Sequence, residues 1–235
     1  MNKYLEIGVE EFRKSFNQSV AEFPEGRTAR AAGSGRGTKA YPNGEDRLWW
    51  EDQGPAFIQS WISWRQQNVS LHLMNLDGKP AIEVEVQAEI SLPDDTTVLL
   101  RGFIDRVFVD ANSGQALIVD LKTGKTSQPP LQLAFYRRAL RATYDITVDL
   151  GAYWMARKGS LDTVHDLTSF SDDMIDYWVR TTYLGIREGI FLPHVTQLCS
   201  GCGVKQHCYV FNSDSSFSPL KTNIALEEAS DNVID

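Results

Sequence analysis

Asp105, Asp120 and Lys122 combine residue types and a spacing that suit metal-assisted chemistry. Two apolar runs, 103–109 and 116–121, flank the polar stretch Asp110-Ala111-Asn112-Ser113-Gly114. β-Branched and aromatic residues on either side of Asn/Ser/Gly turn chemistry predict a β-hairpin. Asp105 lies in its first strand and Asp120 in its second, with Lys122 at i+2. Side chains at i and i+2 of a strand share a face, so Asp120 and Lys122 project together, and the hairpin can bring Asp105 beside them. Two carboxylates and an amine on an apolar sheet are costly to desolvate unless they bind something. A hard divalent cation held by two carboxylates and several waters is the natural ligand. The alternative is a buried ion-pair network.

A second cluster is Cys199, Cys202 and Cys208, the only cysteines of the chain. Three cysteines confined to ten residues argue for a local metal or cluster site and against a disulfide scaffold.

The elements that must position these groups follow in order. Leu5, Val9, Phe12, Phe16 and Val20 recur at helical spacing and predict an amphipathic helix over 3–22. Residues 24–47 are rich in Gly and basic residues and read as a loop, whose Arg27, Arg30, Arg36 and Lys39 suit phosphates or plain solvent. Pro55 suits the first turn of a helix over 55–66, with Phe57, Trp61 and Trp64 in one core-facing stripe. Residues 81–91 alternate strictly, with Ile82, Val84, Val86 and Ala88 on one face and Glu83, Glu85, Gln87 and Glu89 on the other. Of these acids Glu85 is the candidate further metal ligand. Pro129-Pro130 opens a helix over 131–143, on which Gln132 and Tyr136 share a face and Arg137, Arg138 and Arg141 form a basic side. A strand over 147–156 and a helix over 172–189 come next, then the cysteines. Residues 213–235 are Ser/Asp-rich and predict a disordered acidic tail. Helix, loop, helix, three strands, helix, strand, helix specify an α/β domain with a mixed sheet flanked by helices.

The formal net charge is −8, and the tail holds five acids against one lysine. That balance neither supports nor excludes a nucleic-acid partner. No stretch approaches the roughly 20 apolar residues of a membrane span. The N-terminus has no apolar core of a secretion signal, so a cytoplasmic location is the default.

Gly102-Phe103-Ile104-Asp105-Arg106-Val107, Val119-Asp120-Leu121-Lys122-Thr123-Gly124-Lys125, Gln132-x3-Tyr136 and Cys199-x2-Cys202-x5-Cys208, in this order, resemble the RecB-like branch of the PD-(D/E)XK nucleases. The iron–sulfur subgroup, with the CRISPR-associated RecB-like exonucleases and the AddB-type nuclease domains, is the most similar. The resemblance spans roughly residues 45–210. It implies a restriction-endonuclease-like fold over 1–212: an N-terminal helix and basic loop over 1–47, a nuclease core over 48–160, and a helix and Cys segment over 161–212. It implies Mg²⁺ or Mn²⁺ held by Asp105, Asp120 and the Leu121 carbonyl, with Lys122 as the motif lysine. Gln132, Tyr136 and Arg137 would meet DNA, either single-stranded or at duplex ends. The activity implied is exonucleolytic, in recombination, repair or phage replication, with a recombination or replication protein as a possible partner. The cysteines match three ligands of the subgroup's [4Fe–4S] cluster. The subgroup's first cysteine and an early histidine have no counterpart, since no cysteine precedes Cys199 and no histidine precedes His72. Either the chain starts after the segment that carries them or it has lost both. Zn²⁺ on the three cysteines with His207 or His194, or no stable site, are the alternatives to a cluster. The absences also motivate a rival function, a catalytically impaired module that binds DNA or docks a partner.

Overall fold

Asp46 starts the helix that backs the central sheet. Its side chain accepts a hydrogen bond from the Trp49 N–H at 3.1 Å, satisfying one orphan donor of the first turn. The computed structural model describes residues 3–21, 37–125 and 128–190, with 195, 196, 199, 205, 208, 210 and 211. The helices are α1 (Lys3–Ala21), α2 (Arg47–Gln67), α3 (Leu131–Tyr144) and α4 (Asp172–Arg187). Helix α2 therefore begins eight residues before the predicted start and carries Pro55 internally. Proline there forfeits one bond, to the Glu51 carbonyl, which the Asp46 cap and the aromatic packing outweigh.

The strands are β1 (Leu71–Leu73), β2 (Asn75–Leu76), β3 (Lys79–Pro80), β4 (Ile82–Ser91), β5 (Thr97–Asp110), β6 (Ala116–Lys122), β7 (Leu150–Met155), β8 (Ser160–Leu161) and β9 (His165–Asp166). The main sheet runs β1-β5-β6-β7-β8, with β4 also on β5 and β9 on β7. β5 and β6 form the predicted hairpin: Gly114 adopts φ +71° in its turn, and the Asp110 N–H reaches the Gln115 carbonyl at 2.9 Å. β6 and β7 are parallel and joined through α3, so the sheet is mixed. The short strands β1, β2, β3, β8 and β9 escape the sequence pattern because two or three residues carry no readable period.

In β4 the buried face is Val84, Val86, Ala88 and Ile90, while Ile82 is exposed. Glu83 explains the departure: its φ of +50° breaks the pleat between Ile82 and the rest. One face of the sheet packs Phe108, Leu117, Val119, Ala152 and Trp154 against Trp64, with Phe57 and Trp61 beside them, as the α2 stripe predicts. The opposite face of β6 and β7 meets α3, whose Leu133 and Leu140 are fully buried.

The chain divides into two compact units, Met1–Gln87 with Arg101–Ser169 and Ala88–Leu100 with Phe170–Asp235. In the second unit Arg187 Nη1 pairs with Asp94 at 2.6 Å and Arg180 Nε donates to the Ser91 carbonyl at 2.8 Å. Ile175 of α4 is buried there, whereas Tyr183 and Ile186 are exposed. Among the described residues no helix is long and apolar enough to cross a membrane.

Candidate active site

Strand periodicity and the β6–β7 register decide which side chains meet. Leu117 and Val119 face α2, so Asp120 and Lys122 point to the α3 side. Antiparallel pairing of β5 with β6 runs through Arg106↔Val119, and one further step sets Asp105 across from Asp120. The ladder stops there. The Leu121 N–H donates instead to Asp105 Oδ2 at 2.6 Å. The N–H and C=O of one strand residue point to the same edge, so the Leu121 carbonyl is directed to the Asp105 side of β6.

Helix α3 closes the group. Lys122 Nζ stands 2.6 Å from Asp120 Oδ2 and donates to Gln132 Oε1 at 2.9 Å. Gln132 Nε2 donates to Asp120 Oδ1 at 3.1 Å and to the Tyr136 hydroxyl at 2.7 Å. The Tyr136 hydroxyl donates to Asp120 Oδ1 at 3.3 Å. The amide of Gln132 can only point one way, its carbonyl to the ammonium and its NH₂ to the carboxylate. Tyr136 comes this close to β5 because residue 102 is glycine; a Cβ there would meet the ring at 3.1 Å.

Tyr153 completes the site and the sequence reasoning missed it. It pairs with Asp120 across the parallel β6–β7 ladder, is fully buried, and has the Lys122 ammonium 5.5 Å from its ring centroid. Its hydroxyl donates to the Pro129 carbonyl at 2.8 Å and so anchors the start of α3. The strand–helix–strand order was the available signal, since a crossover helix makes its two strands parallel neighbours.

Burial decides the electrostatics. Asp120 is 3% exposed, and desolvation raises its carboxyl above the ordinary value of 3.8 against the pull of Lys122. Burial likewise pushes the Tyr136 and Tyr153 hydroxyls up to about 12, so both remain proton donors at neutral pH. Asp120 Oδ2 is buried and faces the Lys122 ammonium at 2.6 Å. Two neighbouring carboxylates, one of them buried, fit a hard divalent cation that keeps several waters. Asp105, Asp120 and the Leu121 carbonyl are the groups that would hold it. Among the described residues no group of three or more His, Cys, Asp or Glu side chains is placed to hold a metal.

Two of the predicted residues lie elsewhere. Glu85 pairs with Arg101 at 2.5 Å, both half-exposed. The Arg137 guanidinium is engaged by Asp149, with Nη2 2.8 Å away. Among the described residues Cys199 and Cys208 form no disulfide, and the Cys199 sulfur accepts from the Thr196 N–H at 3.3 Å, whereas Cys202, His194, His207, Arg27, Arg30 and Arg36 lie outside the described residues.

Gln132 touches both the carboxylate and the ammonium, so Gln132→Ala is expected to lower any phosphodiesterase activity roughly 10- to 100-fold, as losses of groups that orient metal ligands do. Initial rates at saturating Mg²⁺ check this. A rate within twofold of the parent would remove Gln132 from the site.

A mixed sheet with helices on both faces and carboxylates on the second and third strands of its core defines the restriction-endonuclease-like class. The chain belongs to the PD-(D/E)XK nuclease superfamily, whose family model matches residues 10–209. It is similar to the Gene 69 protein of Mycobacterium phage D29, 28% identical over 196 residues, covering 74% of this chain and 69% of that one. It is 32% identical over 139 residues to the Gene 69 protein of Mycobacterium phage L5, covering 57% of this chain and 46% of that one. Among solved structures, that of SSO0001 matches 86% of this chain and 95% of its own with 13% identity and a TM-score of 0.43.

Proposed function

We propose that this chain is a divalent-metal-dependent DNA exonuclease that hydrolyses phosphodiester bonds at single strands or duplex ends, in recombination, repair or phage replication. The observation that carries this reading is the meeting of Asp105, Asp120 and Lys122 where β5 and β6 part, with Asp120 buried. A bound divalent cation supplies phosphoryl polarisation and a more acidic water. Asp105 and Asp120 would hold it. Lys122, steered by Gln132 and Asp120, presents fixed positive charge to the phosphate as negative charge develops. Tyr136 and Gln132 hold the Asp120 carboxylate in one rotamer.

Within the superfamily the motif order favours the RecB-like branch. The three cysteines fit its iron–sulfur members, and iron, zinc and sulfide content of anaerobically purified protein tests that placement.

The deciding experiment for the activity incubates end-labelled single-stranded and duplex DNA with the protein in Mg²⁺, Mn²⁺ or EDTA. Progressive shortening with either ion, abolished by EDTA, is expected. Intact DNA under all conditions would refute the reading, and salt-sensitive DNA binding without cleavage would favour the non-catalytic module.

A further inference from the structure

Thr123, one residue past the motif lysine, opens on a cavity of about 380 Å³ beside α1 and α2. Phe12, Phe16, Trp50, Phe57 and Ile58 line it with Thr123. It falls within the size range of ligand pockets, roughly 300–1,000 Å³. Its walls are aromatic. Trp50 and Phe57 meet edge to face at 6.1 Å, and Phe12 and Phe16 stack at 5.6 Å. Gly54 allows Phe12 to lie flat on α2, since a Cβ there would come within 2.1 Å of the ring.

Cations stand beside its lining. Arg157 Nε donates to the Thr123 carbonyl at 2.7 Å, and its guanidinium lies 4.8 Å from the Trp49 ring centroid and 5.9 Å from that of Phe57. Arg157 Nη2 pairs with Glu45 at 2.8 Å, and Lys125 Nζ pairs with the other oxygen of Glu45 at 3.3 Å. Two cations therefore share one carboxylate. The Lys125 side chain is 69% exposed, so its pair with Glu45 is weak and its ammonium is open to a phosphate, whereas Arg157 and Glu45 form a more buried pair.

An aromatic pocket with cations beside it, on the α2 side of the strand end that carries Lys122, has the parts of a nucleotide site. We propose that this cavity takes an unpaired nucleobase of the strand being cut, with Arg157 and Lys125 on its phosphate. A paired base cannot leave its stack without a penalty, so the substrate is a single-stranded end or flap. Every base has a π-face, so the strand is read without sequence preference. This rests on the nuclease reading above and names its substrate.

The test walks a single abasic residue along a fluorescent single-stranded oligonucleotide and measures dissociation constants by anisotropy in Ca²⁺, with cleavage in Mg²⁺ followed separately. One position, or two adjacent ones, is expected to weaken binding by the parent protein roughly 5- to 100-fold, and the others by less than twofold. In Trp50→Ala and Phe57→Ala the intact and abasic strands should bind within twofold of each other, with the position effect restored in Trp50→Phe. Blunt duplex should bind at least tenfold more weakly than the single strand. A flat abasic scan, or equal affinity for blunt duplex, overturns the proposal whether or not the variants fold, because both are read on the parent chain. Absence of cleavage in Mg²⁺ together with a position-specific scan would refute the nuclease reading and leave the base site standing.

Discussion

Asp120→Asn is expected to abolish metal-dependent cleavage and, in metal-free buffer at neutral pH, to raise the melting temperature. The loss follows from removing a ligand charge from a cation that contributes several kcal/mol of charge stabilisation. At 1.36 kcal/mol per tenfold, the rate should fall on the order of 10³-fold or more. The gain follows from burial. Desolvation holds the Asp120 carboxyl above 3.8 in the folded chain, so the native state binds that proton more tightly than the unfolded state does. The associated stability is fully present below about pH 4, the unfolded value, and is lost as pH rises through the folded value. Asparagine fills the same space without a charge to desolvate, and Lys122 keeps Gln132 Oε1 and partial solvent exposure. A gain of about 1 kcal/mol is expected, typical of relieving a strained functional site. It should shrink as pH falls towards 4. Thermal unfolding in EDTA at pH 4 and pH 7, beside cleavage rates in Mg²⁺, measures both halves. Parent-like cleavage would remove Asp120 from the centre, and a lower melting temperature at pH 7 would mean that the Lys122 pair outweighs burial.

The second large effect is expected at Lys122. Its ammonium is held by three groups at once: the Asp120 carboxylate, the Gln132 carbonyl oxygen and the Tyr153 ring. Such preorganised charge acts on the developing negative charge of the transition state more than on the bound ground state. Lys122→Met should therefore lower kcat roughly 10²- to 10³-fold, the scale of losing one preorganised donor, and change KM for DNA by less than threefold. Lys122→Arg should not restore the rate, because a planar fork cannot occupy the point-charge position between Asp120 and Gln132. Single-turnover cleavage across a Mg²⁺ titration separates this effect from altered metal affinity. A change confined to KM would make Lys122 a DNA-binding residue only.

The parts of the site visible in the sequence are those joined by short-range periodicity. Asp120 and Lys122 share a face because strands alternate, Gln132 and Tyr136 because helices return after four residues, and Asp105 joins them through the hairpin whose turn is spelled in Asp110 to Gly114. Tyr153, Arg157 and Glu45 were hidden because their partners lie far away in sequence. Arg157 and Glu45 are 112 residues apart, and no local pattern reports such a meeting. The start of α2 departs from the local pattern for a related reason: Pro55 is a strong local mark, but the Asp46 cap and the burial of Trp64 against the sheet decide where the helix runs. Ile82 went to the wrong face because one residue, Glu83, takes a left-handed conformation that alternation cannot foresee.

The bond from the Leu121 N–H to Asp105 gives the two acids opposite fates under mutation. Asp105 does structural work that outlives chemistry, since without it a strand amide loses its acceptor. Asp120, by the expectation above, costs the fold more as a carboxylate than as a neutral amide. A lineage released from any need to cut would gain stability by discarding Asp120 and lose it by discarding Asp105. Inactive descendants of this chain should accordingly keep the first carboxylate long after the second has drifted to a neutral residue, and a surviving Asp105 alone is a poor mark of an active enzyme.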